Sequence, residues 1–150
     1  MSNRRSTPAN QAPNTAEIIA NLARSPRIET LHPIAARFIY SLRLIAVHER
    51  ASRDPVPELA VRLGSVEVAA KALTLAQDIK RLWPEDVHLA RFCCRCLSHD
   101  ETTIGTMITS AAARDTARFD QALAGFIRPD RCRKLLEGAI ALISAELRAA

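Results

Sequence analysis

The stretch Pro33-Ile34-Ala35-Ala36-Arg37-Phe38-Ile39-Tyr40-Ser41-Leu42-Arg43-Leu44-Ile45-Ala46-Val47 decides how the rest of the chain is read. Proline suits the first turn of a helix, where its missing N–H has no partner to lose, so a helix begins at Pro33. Ile34, Phe38, Leu42 and Ile45 recur at helical spacing. Ile39, Tyr40, Leu44 and Val47 widen that face, which predicts a central helix covered on more than one side. The polar His48-Glu49-Arg50 ends it, and Ser52-Arg53-Asp54-Pro55 turns the chain.

Downstream, the same reasoning yields helix after helix. Pro57 to Leu63 stops at Gly64, and a longer helix runs from Ser65 to Leu82 with Val66, Ala69, Leu73 and Ala76 on its apolar side. Glu67 and Lys71 form an i,i+4 pair on its other side. Trp83-Pro84 closes it, and Val87 to Phe92 reads as extended or strand-like. Ser98-His99-Asp100-Glu101 has the form of a capping box: the serine hydroxyl takes the N3 amide and the glutamate reaches back to the cap amide. Ile104, Met107, Ile108 and Ala111 supply the buried face behind it. Asp115 caps a helix bearing Phe119, Leu123 and Phe126; Arg128-Pro129-Asp130 starts the last one, striped by Cys132, Leu136, Ala139, Ile143 and Leu147. The expected architecture is all-α, a compact single-domain bundle of five to six helices over residues 31–150.

Upstream, residues 1–30 are rich in Ser, Asn, Pro, Ala and Thr and read as a disordered arm. Its exception is Ile18, Ile19 and Leu22, one apolar face of a helix too short to persist alone. These three are the expected partner-binding residues, docking on the domain or on another protein.

The chain has 150 residues, enough for one domain with a real core. Aromatics are scarce at 4%, so that core is aliphatic, and the net charge of +5 suits nucleic acid or an acidic protein. No run approaches the roughly 18 apolar residues of a membrane span, and the N-terminus lacks a secretory pattern. The expected location is cytoplasmic, where four cysteines remain thiols.

Phe92-Cys93-Cys94-Arg95-Cys96-Leu97-Ser98-His99 holds the chain's densest chemistry. Cys93, Cys96 and His99 are evenly spaced and would occupy three corners of a zinc tetrahedron, with Cys132 or His32 as the fourth. The same Cys-x-x-Cys ahead of a helix fits a thiol-redox centre. The plainer reading makes Phe92 and some cysteines loop anchors, with Ser98 to Glu101 as a cap and Cys132 in the core. Residues 57–78 also invite a helix-turn-helix reading, although the exposed Glu67, Lys71, Thr74, Gln77 and Asp78 form no arginine cluster for DNA. The four histidines show no nucleophile-base-acid arrangement, and no phosphate loop or H-E-x-x-H occurs. An enzyme is not expected.

Phe38 to His48, then Cys93-Cys94, then Ser98-x-Asp100-Glu101, resembles a family of small uncharacterised bacterial proteins. In that pattern a histidine ends an apolar helix and a Cys-Cys pair precedes a Ser/Thr-x-Asp-Glu helix start. The resemblance spans about residues 31–147 and implies the same helical architecture without an activity. Where the family has a proline soon after the pair, this chain has Arg95-Cys96. The functional expectation is a non-enzymatic protein-interaction or regulatory domain, with a zinc or thiol-redox protein and a DNA-binding protein as alternatives.

Overall fold

The computed structural model describes residues 14–16 and 26–150. Ile18, Ile19 and Leu22 lie outside the described residues. Among the described residues there are six α-helices: α1 (Pro33–Arg50), α2 (Val56–Leu63), α3 (Val66–Leu82), α4 (His99–Ala112), α5 (Thr116–Leu123) and α6 (Pro129–Ala149). The all-α expectation holds.

Local chemistry sets most of the boundaries. Pro33 stands at the start of α1, and the His32 ring caps it by accepting the Ile34 amide through Nδ1 at 3.2 Å. Gly64 ends α2 at φ 73°, a left-handed conformation that a side chain disfavours. Ser65, Ser98 and Asp115 each accept an amide of the helix they cap. At Ser98 the full capping box forms.

The helix α1 is the buried axis of the fold. Ala35, Phe38, Ile39, Ser41, Leu42, Arg43, Leu44 and Ile45 are all buried, pointing in almost every direction around it. It packs on α3 and α4, with α2 alongside, while α6 lies chiefly against α3 and also touches α4 and α5. Gly138 permits the close α3–α6 approach: a Cβ there would sit 2.9 Å from Leu75 Cδ1. Arg37 bridges three helices, gripping both carboxylate oxygens of Glu146 on α6 at 2.7 and 3.0 Å and the Leu63 carbonyl at 2.8 Å.

Several sequence expectations shift once the helices are packed. The α3 core face is Val68, Ala69, Ala72, Leu75, Ala76 and Ile79, with Val66 exposed, because α1 and α6 cover it from two sides. Leu147 of α6 is likewise exposed. Glu67 pairs with Arg148 of α6. Val87 to Arg91 forms no strand, and Phe92-Cys93 is a turn closed by the Cys94 amide on the Arg91 carbonyl at 2.9 Å. The domain also begins before residue 31: Ile28 is buried at 1% exposure, and Pro26 to Ile28 is bonded to the cysteine loop. A lone apolar residue in a polar segment gives little warning of that.

Candidate functional site

The cysteine loop is built around a residue whose role the sequence reading missed. Arg43 of α1 is 1% exposed, and its guanidinium forms a two-point pair with Glu101, Nε to Oε2 at 2.7 Å and Nη2 to Oε1 at 2.9 Å. The remaining donors reach the loop backbone: Nη1 donates to the Cys94 carbonyl, and Nη2 donates to that of Cys96 at 3.1 Å. Glu101 is fully buried and also accepts the Ser98 amide at 2.9 Å, so the capping box and the ion pair share one carboxylate. Burial pushes the Glu101 carboxyl up, but the Arg43 guanidinium and the Ser98 and Ala90 amides together hold it below the usual range. Glu101 correspondingly raises the already high Arg43 pKa against the opposing effect of burial.

A warning was nonetheless written in the sequence. An arginine between Leu42 and Leu44, in a helix read as covered on more than one side, is a charge that needs an acid if it is buried.

Backbone bonds complete the loop. Ile28 N donates to the Arg95 carbonyl and Leu97 N to the Pro26 carbonyl, each at 2.8 Å, around an antiparallel bridge between Arg27 and Cys96. The Ser98 hydroxyl donates to the His88 carbonyl, and the His88 amide donates to Asp100 at 2.7 Å. The backbone faces inward onto Arg43 while Cys93 and Cys96 are exposed and Cys94 is half-buried, all as thiols.

The proposed zinc ligands are dispersed among these roles. His99 is exposed at the first position of α4. Cys132 is buried at the start of α6, its thiol donating to the Ile127 carbonyl, and burial pushes that thiol up, with Asp120 and Asp130 adding to the effect. Among the described residues no group of three or more His, Cys, Asp and Glu side chains is placed to hold a metal. The core position expected for Cys132 is the one observed.

The loop also walls a groove. Phe92, next to Cys93, meets Tyr40 of α1 edge-on with centroids 6.2 Å apart, and the Arg62 guanidinium of α2 sits 5.5 Å above its ring. Two adjoining clefts of about 340 and 310 Å³ flank this ring and share Leu44, Arg62 and Phe92. Tyr40 and Val47 on the α1 side are 43% and 46% exposed, which is unusual for large apolar groups on the central helix. Three arginines, Arg37, Arg53 and Arg62, line the clefts against one glutamate, Glu58. His48 stands at one end, its Nε2 paired with Glu58 and its Nδ1 the single buried side-chain N or O without a partner among the described residues. His48, in the polar end of α1, is mostly covered, with Glu58 of α2 bonded to its ring.

The start of α3, the presumed recognition helix of the DNA reading, carries Glu67 tied to Arg148, and its Asp78 is paired with Arg81. Its exposed cations are thus Lys71, Lys80 and Arg81, of which Lys80 lies near Glu49 and Arg81 is already engaged. No family model, no curated protein and no solved structure matches this chain.

Proposed function

We propose that the protein is a non-enzymatic interaction domain whose α1–α2 groove receives a short amphipathic helix carrying an acid ahead of its aliphatic anchors. The observation that carries the reading is the groove itself: Tyr40, Leu44, Val47 and Phe92 form an apolar floor and wall, with Arg53 at the rim beside Arg37 and Arg62, which are paired with Glu146 and Glu58. Aliphatic anchors at helical spacing bury their area in such a groove, and the rim selects acidic flanks. The chain itself carries the matching pattern in Glu17-Ile18-Ile19-Ala20-Asn21-Leu22, which makes that segment the natural probe.

The test is a titration of a fluorescent peptide of residues 12–25 into the full chain carrying Ile18→Ser and Leu22→Ser, so that its own copy does not compete. Saturable binding is expected, abolished when the peptide carries the same two serines and weakened about tenfold or more by Tyr40→Glu in the protein. A flat titration, or binding indifferent to Tyr40→Glu, overturns the reading. Light scattering of the unaltered chain then separates docking within one molecule from association of two copies.

A further inference from the structure

The exposed thiols and the groove are parts of one loop, and the way that loop is anchored gives thiol chemistry a route to the groove. Arg43 accepts no compromise in the loop's conformation: its two terminal nitrogens hold the carbonyls of Cys94 and Cys96 together. Carbonyls two residues apart point the same way in extended backbone, so this grip keeps residues 94–96 stretched. Cys93 to Cys96 then spans roughly 10 Å between Cα atoms at about 3.3 Å per residue. A disulfide requires about 4.4–6.8 Å. The Arg43 contacts to the Cys94 and Cys96 carbonyls thus oppose closure of the pair, although both thiols are accessible. Phe92 is covalently next to Cys93, and its ring packs edge-on against Tyr40.

We propose that Cys93 and Cys96 form a thiol–disulfide switch that acts on the groove through Phe92, an inference that rests on the groove being the docking site. The oxidant is a low-molecular-weight disulfide of the glutathione class. The Cys93 thiolate attacks one of its sulfurs, expelling one thiolate and leaving a mixed disulfide. The Cys96 thiolate then attacks the Cys93 sulfur, expelling the second. Two protein thiols lose two protons and two electrons in all, and the small disulfide becomes two thiols. Closing the bond folds residues 93–96 up, which takes the Cys94 and Cys96 carbonyls off Arg43 and draws Phe92 away from Tyr40 and Arg62. Reduction restores both contacts, since the buried Arg43–Glu101 pair remains as the template.

The experiment equilibrates the full-length protein in buffers of reduced and oxidised glutathione, maps the bond by mass spectrometry, and follows amide hydrogen exchange without any partner. A Cys93–Cys96 bond is expected, with exchange at Ile28, Cys94 and Leu97 accelerated roughly tenfold or more once the charged hydrogen bonds are lost. The Cys96→Ser variant, which forms only the mixed disulfide, should keep the slow exchange. Peptide affinity should fall in the oxidised form of the unaltered chain. The proposal is overturned if the bond forms with exchange unchanged, or if only mixed disulfides on Cys93 appear. Both results are read without the peptide, so a failed peptide titration strikes the docking site and leaves the coupling of thiol to loop standing or falling on its own.

Discussion

A single buried guanidinium, Arg43, joins α1, α4 and the cysteine loop. Its carboxylate partner, Glu101, is fully out of water, so solvent does not replace that contact if it is lost. Glu101→Gln removes the charge opposite Arg43 while keeping the shape, and should destabilise by about 3–5 kcal/mol, the usual cost of orphaning a buried charge. Chemical denaturation would measure it. Arg43→Lys should be nearly as damaging, because a point charge cannot serve one carboxylate and two carbonyls together. Acid provides an independent check. The Glu101 carboxyl titrates below its ordinary value of 4.5 in the folded chain, so its contribution is present above that pH and is lost as pH falls through the lower folded value. Glu58, held down by His48 and Arg62, and Glu67, held down by Arg148, act in the same direction. Stability should therefore drop as pH falls below about 4.5 and keep dropping further into acid. In Glu101→Gln the drop should be shallower.

The helices obey local rules at their ends and tertiary rules along their faces. Pro33, Ser98 and Asp115 stand where capping chemistry puts them, and the capping box at Ser98 was legible before any coordinates. The apolar faces were less legible. In α3 the buried face is turned from the expected one, since alanine-rich helices present small apolar groups on most sides and the neighbours select among them. Gly138 is a case where the two kinds of rule conflict. Alanine there would improve helix propensity by about 1 kcal/mol. Its Cβ would sit 2.9 Å from Cδ1 of the fully buried Leu75, so that side chain must shift within the core. Overpacking costs about 1–3 kcal/mol, so Gly138→Ala should destabilise on balance by about 1 kcal/mol. A thermal melt would show it, and adding Leu75→Val should recover part of the loss relative to Leu75→Val alone.

At the scale of the molecule, the four thiols divide by depth. Cys93 and Cys96 face solvent, Cys94 is half-covered, and Cys132 is buried in the first turn of α6 with its thiol bound to a carbonyl. Alkylation of the native protein should mark Cys93 and Cys96 first and Cys94 more slowly. Cys132 should react only at a rate set by unfolding of the bundle, since α6 contacts α3, α4 and α5 together. Mass spectrometry of timed, quenched samples would check it, and a Cys132 as fast as Cys93 would contradict the placement of α6.

The order of helices, their caps and their aliphatic core follow from periodicity and end chemistry, which depend on residues within one or two turns of each other. So does the plain reading of Ser98 to Glu101 as a helix start. What only the folded chain decided is how distant residues share space: Arg43 with Glu101 and the Cys94 and Cys96 carbonyls, Tyr40 with Phe92 and Arg62, Ile28 with Arg95. A buried charge states that it needs a partner but not which one. The partner is chosen by the packing of helices far apart in sequence, and that packing turned a run of cysteines into the wall of a groove.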